Sequence, residues 1–353
     1  MDTMPNDEVR VTLGVDTHLE THCAVALDQL GRRLGELEVP TTRSGYGRLV
    51  DWASCYGTID KIGVEGTGSY GAGLARWLRA EGLIVLEVDR PDRKTRRREG
   101  KSDPIDAEAA ARAVQSGKAC GTPKAADGPV EMIRVLRVAR RSAVKNRTMA
   151  ANQLSALVLT APDELRDRLR GMSIQRLVGT AAAFRPGEQP GTITAATKYA
   201  LRELARRHQQ LTEQIARLDA QLDRLVEEIA PELVAKHGVG TQTAAALLVC
   251  AGDNPQRLVD EGSFAHLTGT APLDASSGKQ QRHRLNTGGD RDANCALHQI
   301  VITRLATDED TKLYKKRRIA EGKTQRETMR CLKRYVLREV YKTLSRNPVL
   351  NPT

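Results

Sequence analysis

A chain of 353 residues exceeds what one hydrophobic core usually organises, so two or three folded units are expected. Lys and Arg number 55 against 44 Asp and Glu, a formal net charge of +11, which points to a polyanionic partner such as nucleic acid. Aromatics at 3% argue against a base-stacking platform, and six scattered cysteines without a CxxC pair argue against disulfides or a zinc site; no long apolar run or signal-like start argues for a membrane, so a cytoplasmic protein is expected.

From Val11 to about Gly117, short apolar runs alternate with helical patterns. VTLGVD, HCAVALD and RLGELEV predict three successive strands, followed by a helix near Tyr46 to Ala53. IDKIGVE predicts a fourth strand, a helix follows near Tyr70 to Ala80, LIVLEVD predicts a fifth strand, and an alanine-rich helix covers Pro104 to Val114. Three strands followed by alternating helices and strands make an α/β sheet with helices on its faces. That order is the RNase H-like (RuvC-like) order, assigned here to residues 9–128.

Two acids interrupt the apolar strands. Asp16 ends the run in LGVDTH, and Glu65 ends the run in IGVEGTG, where the glycines that follow let a ligand approach the backbone. A strand-end Asp is ordinarily a turn former, but two such acids in one α/β domain fall where ligand sites cluster. In KSDPIDAEAAARAV, Asp103 is a plausible N-cap before Pro104, and Asp106 follows on the same side of the first turn. Capping and dipole compensation would explain that pair alone. Together Asp16, Glu65, Asp103 and Asp106 offer enough hard oxygen donors for two Mg²⁺ ions roughly 3.5–4 Å apart, the arrangement that stabilises the entering and leaving oxygens of a phosphodiester.

Helical periodicity over Pro129 to Leu159 carries Arg134, Arg137, Arg140, Arg141, Lys145 and Arg147 with no intervening acid, either a solvated face or one turned to phosphates. Gly and Pro break the pattern between Pro186 and Thr194. Heptads then place Leu201, His208, Ile215, Leu222 and Ile229 at one position and Leu204, Leu211, Leu218 and Leu225 at the other, which suits an antiparallel helical hairpin or an intermolecular coiled coil. Residues 129–231 are therefore expected as a helical, coiled-coil middle, and residues 232–346 as a mostly α C-terminal domain.

The spacing of GVDTH, VEGTGSY and KSDPIDA resembles the DEDD-type transposases of the IS110 family of insertion sequences. The far half is similar too, in GVGTQTAAALLVCAGD (Gly238 to Asp253), FAHLTGTAP (Phe264 to Pro272) and ASSGK (Ala275 to Lys279). GVG before a helix suits either a backbone contact to phosphate or a glycine turn between packed helices. The resemblance implies a RuvC-like domain with Asp16, Glu65, Asp103 and Asp106 as its metal-binding carboxylates. It also implies a catalytic serine in the second domain, Ser277, with Ser276 as the alternative; a serine in such a loop is otherwise a turn residue. A serine hydroxyl needs a base or metal to act as nucleophile. The family further implies donor and target DNA, a structured noncoding bridge RNA as guide, and a homo-oligomer, dimer or tetramer, whose subunits share the site. After the serine this chain departs from the family, with Asp290 and Asn294 where Asn and Arg are usual.

Basic runs complete the expected nucleic-acid surface. Arg93, Lys94, Arg96, Arg97, Arg98 and Lys101 precede the Asp103 helix; Arg137, Arg140, Arg141 and Lys145 lie on the middle helix; Lys279, Arg282 and Arg284 flank the serine loop; and Lys333 and Arg334 lie in a basic stretch from Lys312 to Lys342 that predicts one long helix. Contacts of this kind fix position without reading sequence. His18 and His22 are spaced like a helical metal pair but fall in strand and turn, which speaks against zinc. His283 and His298 show no paired carboxylate. Two rivals remain: a RuvC-like structure-specific nuclease that does not need Ser277, and a catalytically inactive nucleic-acid-binding protein.

Overall fold

The computed structural model describes residues 9–88, 102–119, 121–187, 191–254, 258–275, 283–347 and 350. They form two compact units that interleave along the chain. One contains the chain up to Gly128 with Cys250–Gly289 and the segment from Ser345; the other contains Pro129–Val249 and Asp290–Leu344. Among the described residues no helix is long and apolar enough to cross a membrane.

The first unit is built on strands β1 (Arg10–Thr17), β2 (Thr21–Leu27), β3 (Arg33–Pro40), β4 (Thr58–Glu65) and β5 (Val85–Val88), in the spatial order β3-β2-β1-β4-β5. β1 runs antiparallel to β2 and parallel to β4. Central β1 is buried from Val11 to Thr17, which is why its sequence is a nearly unbroken apolar run rather than an alternating one. Val11, Leu13, Val15, Ala24, Ala26, Ile62 and Val64 point to one face, under α1 (Arg43–Ser54) and α2 (Ala72–Ala80), whose Leu49, Ala53, Leu74 and Leu78 complete that core. The opposite face, with Cys23, Val25 and Leu27, packs on Ala107 and Ala111 of α3 (Asp103–Gln115).

Helix α3 begins one residue earlier than its sequence suggests. Ser102 occupies the N-cap position, and its carbonyl accepts from the amides of Ile105 and Asp106. Asp103 is thus inside the first turn beside Pro104, where proline's missing N–H costs nothing and an acid faces the positive end of the helix dipole.

The second unit is helical. Helices α4 (Pro129–Leu159) and α7 (Ile193–Ile229) run antiparallel: Arg140 reaches Asp219, while Leu154 and Val158 share a core with Leu201 and Ala205. The chain thus forms an intramolecular antiparallel pair, one of the arrangements the heptads allow. Its seam is asymmetric, with Leu201, Ile215, Leu222 and Ile229 buried and Leu204, Leu211, Leu218 and Leu225 only half-buried. The short α5 (Asp163–Leu169) and α6 (Ile174–Ala182) close its tip through Leu165, Leu169, Leu177 and Val178.

Further along lie α8 (Pro231–Val234), α9 (Thr241–Ala251), α10 (Glu261–Leu267), the two-residue strands β6 (Leu273–Asp274) and β7 (His283–Arg284), α11 (Arg291–Thr307), α12 (Glu309–Ala320) and α13 (Gln325–Leu344). The single helix expected from Lys312 to Lys342 is two. Gly322, at φ +85°, ends α12 in the left-handed conformation. Thr324 and Glu327 then start α13 as a capping box: the Thr324 hydroxyl accepts from the Glu327 amide and the Glu327 carboxylate accepts from the Thr324 amide. That Thr-x-x-Glu signal is present in the sequence and marks the break.

Candidate active site

Strand pairing brings the first two acids together. Val15 pairs with Val64 across the parallel β1–β4 ladder, so the next residues, Asp16 and Glu65, lie at the carboxyl ends of adjacent strands. Both carboxylate residues are buried, at 8% and 5% exposure, on the α3 side of the sheet. The Thr17 hydroxyl donates to the Glu65 carbonyl at 2.9 Å and ties the two strand ends together. Gly66, at φ +67°, turns the chain away immediately afterwards.

Two glycines bring the remaining acids within reach. Gly14 and Gly63 are cross-strand partners and form a side-chain-free seat for α3. A Cβ on Gly14 would stand 2.0 Å from the Ala107 carbonyl oxygen and 2.2 Å from the Ala111 nitrogen; one on Gly63 would stand 2.6 Å from Val114 Cγ2. The helix answers with Ala107, Ala110 and Ala111, so small residues meet on both sides and the axis lies close to the sheet. That approach sets the first turn of α3 over the strand ends. Asp106 is buried there and Asp103 is half-exposed.

His18 lies between the two parts. Its Nε2 is 3.2 Å from Asp16 Oδ2 and 3.3 Å from Asp103 Oδ1, and one donor atom from each of the three residues lies within 4.8 Å of the others. In sequence His18 shares a helical-pair spacing with His22 but falls in strand and turn, and the structure agrees. The tight β1–β2 hairpin, closed by the His18 amide on the Thr21 carbonyl, separates the two instead. His22 turns to the other face, fully buried and stacked on Tyr46 at 5.8 Å.

The acids oppose one another electrostatically. Burial raises the Asp16 carboxyl above its ordinary value, His18 opposes that shift, and the charges of Asp106 and Asp103 add to it. The neighbouring Cys23 thiol is pushed up to about 11, by burial first and then by Asp103, Glu36, Asp16 and Glu38, so it stays protonated and unreactive. The donor set, buried Asp16, Glu65 and Asp106 with half-exposed Asp103 and one imidazole at its edge, fits a divalent cation, whose charge would reverse the mutual repulsion of the acids.

The expected cations divide. Arg93, Lys94, Arg96, Arg97, Arg98 and Lys101 lie outside the described residues, as do Ser276, Ser277, Lys279 and Arg282. The Ser277 segment is bracketed by the β6–β7 ladder, where Leu273 pairs with Arg284 and Asp274 with His283. His283, which showed no carboxylate partner in sequence, has one in Asp274, with Nδ1 at 3.0 Å from Oδ1. Arg284 and Lys145 are exposed.

Several arginines of α4 are engaged inside the helical unit. Arg137 donates to the Gln242 carbonyl at 2.8 Å, Arg140 forms a bidentate pair with Asp219, and Arg141 pairs with Asp292. Lys333 corrects the expectation of a surface cation. It is 8% exposed and donates to Asn294 Oδ1 at 2.8 Å, because its helix face packs on α11; Arg334 beside it is half-buried. Asn294, one of the departures after the serine, is thus the partner of that lysine, while Asp290 caps α11 by accepting from the amides of Asp292 and Ala293. In the GVG turn, Gly238, at φ +79°, packs against Ile300 and Arg304.

A DEDD transposase family model of the IS110 type matches residues 13–161, the span that holds all four carboxylates, and a second model, described as the transposase IS116/IS110/IS902 family, matches residues 232–316. The chain belongs to the IS110 transposase family. A curated relative, described as an uncharacterized 43.6 kDa protein of insertion element IS110 from Streptomyces coelicolor, is 32% identical over 120 residues, 33% of this chain. That match spans 29% of the relative's length. The first of the two family-model spans also contains His18, which lies with Asp16 and Asp103.

Proposed function

We propose that this chain is a DNA transposase or recombinase of an insertion sequence, acting in the cytoplasm through a divalent-metal carboxylate site and a nucleophilic serine. The observation that carries this reading is the convergence of Asp16, Asp103 and His18, beside the strand end of Glu65 and the first turn holding Asp106, in a chain matched by both halves of the IS110 transposase family. The β3-β2-β1-β4-β5 order, with β2 antiparallel to β1 and β4 parallel to it, supports an RNase H-like (RuvC-like) domain for residues 9–128. The antiparallel α4–α7 pair supports a coiled-coil-like middle over residues 129–231, before a C-terminal transposase domain over residues 232–346.

Asp16, Glu65, Asp103 and Asp106 would hold Mg²⁺, two ions in the reading their chemistry favours. The bound metal supplies charge neutralisation at the oxygens of the scissile phosphodiester. Ser277 is the proposed nucleophile: its oxygen bonds to phosphorus as one phosphorus–oxygen bond to deoxyribose breaks, and the proton ends on the departing sugar oxygen. The phosphoserine link conserves the bond for rejoining to a second strand. Arg284 and Lys145, with the cations of 93–101, are the proposed phosphate contacts. Donor and target DNA, an element-encoded bridge RNA and a dimer or tetramer that assembles the carboxylates and the serine from different subunits complete the reading, all by family likeness.

The test is to incubate the full-length protein with Mg²⁺, DNA of the element's ends and RNA transcribed from its flanks. Denaturing electrophoresis with protease digestion then detects protein-linked DNA. An adduct that is lost in Ser277→Ala and in Asp106→Asn supports the reading. Metal-dependent nicking without an adduct replaces it with the plain nuclease, in which Ser277 is dispensable. Binding without any strand breakage replaces it with a nucleic-acid-binding module.

A further inference from the structure

The metal site contains a donor that the four-carboxylate reading does not use. His18 Nε2 lies 3.2 Å from Asp16 Oδ2 and 3.3 Å from Asp103 Oδ1. An ion with ligand bonds near 2.1 Å sets neighbouring donor atoms about 3.0 Å apart in octahedral and about 3.4 Å apart in tetrahedral coordination. Both observed separations fall between those edges. The ring also has the freedom a ligand needs: it is 46% exposed, on the turn after β1, and its backbone is fixed by the amide hydrogen bond to Thr21.

We infer that His18 is a nitrogen ligand of the metal position shared by Asp16 and Asp103, and that this position selects a first-row transition divalent ion over Mg²⁺. The inference rests on the proposed metal-site reading and deepens it. Mg²⁺ is bound by oxygen and keeps much of its water, so an imidazole offers it little. Imidazole nitrogen adds affinity for Mn²⁺, Fe²⁺ or Zn²⁺ in a rising series, whereas carboxylates alone leave Mg²⁺ and Mn²⁺ less distinguished. The two proposed positions are then unequal: one with a nitrogen donor at the Asp16–Asp103 edge, the other served by oxygen.

The same distances would be held by a histidine that only hydrogen-bonds to the two acids, so the test must see the ligand itself. Full-length wild type and the variants His18→Ala and His18→Gln are titrated with MnCl₂ and with MgCl₂ by calorimetry. The Mn²⁺ complex of each is examined by pulsed electron paramagnetic resonance for nitrogen modulation. Expected are a ¹⁴N coupling in wild type that both variants lose, and a preference for Mn²⁺ over Mg²⁺ that falls by roughly tenfold or more, since even outer-shell partners of metal ligands are worth that much. A wild-type Mn²⁺ complex without nitrogen modulation overturns the inference while leaving the carboxylate site standing, as does a Mn²⁺ preference unchanged in both variants. A wild type that binds neither ion overturns the metal-site reading as well. The wild-type spectrum decides the ligand question without relying on any variant to fold.

Discussion

Gly14 of the central strand and Ala107 of the helix it supports approach so closely that a single methyl group on the glycine would stand 2.0 Å from the helix carbonyl oxygen. The contact is with backbone, and the Ala111 nitrogen is nearly as close, so no trimming of helix side chains can relieve it. Gly14→Ala is expected to lift the first turn of α3 away from Asp16. Overpacking of this kind costs about 1–3 kcal/mol. Thermal unfolding should show that loss, and calorimetry should show weaker divalent-metal binding. A variant of wild-type stability and metal affinity would mean that the helix position does not define the site.

Arg140 and Asp219 staple the two long helices, with Gln242 Nε2 donating to the same carboxylate at 3.0 Å. Both charged side chains are about one-third exposed, which limits the pair's worth to roughly 1 kcal/mol. A double-mutant cycle with Arg140→Ala and Asp219→Ala should return a coupling of that order, read as a shift of a few degrees in melting temperature. DNA affinity should change little in Arg140→Ala, because the guanidinium already has its partner.

His22 gives the stability a pH dependence. Burial lowers its pKa below 6.5, with the Thr21 backbone opposing in part and the His18 charge lowering it further. The unfolded chain therefore binds the extra proton more readily. Stability is full above about pH 6.5 and declines as the pH falls below it toward the depressed folded value. In His22→Phe, whose ring can keep the stacking on Tyr46, that decline should shrink, with stability at pH 7.5 within about 1.5 kcal/mol of wild type. Melting temperatures at pH 7.5 and 5.5 for both proteins check this, and equal slopes would exclude His22 as the source.

Lys333 and Lys145 separate interior from surface charge. Burial lowers the Lys333 pKa, Arg330 adds to that and Cys295 opposes it, while Lys145 is exposed on α4. Lys333→Met is expected to leave DNA affinity and its salt dependence unchanged. Lys145→Met should weaken binding across sequences and reduce the salt slope by about one counterion. Fluorescence anisotropy with duplex DNA at several salt concentrations distinguishes them; an equal loss in both would mean that Lys333 leaves Asn294 to reach phosphate.

Periodicity and strand-end chemistry made much of this legible in advance. The five strands and their helices appear in the expected order, the helix over Pro129–Leu159 matches its pattern, and Asp16 and Glu65 lie at the carboxyl ends of strands as their apolar runs foretell. The break at Gly322 was also written in the chain, in the Thr324–Glu327 capping box, but the basic pattern on either side obscured it. Other features had no local signal. Lys333 reads like its exposed neighbours until α11 covers it, and His283 has no visible carboxylate until the β6–β7 register sets Asp274 opposite.

The sequence by itself determined the elements and the acids they carry, because backbone propensity, side-chain period and strand-end chemistry act over a few residues. The tertiary structure alone decided that Gly14 and Gly63 meet as a seat for α3 and that His18 spans Asp16 and Asp103. It also decided which cations lie within the fold. Those relationships depend on strand register and helix approach, which arise when segments distant along the chain pack together, and no window of local sequence contains them.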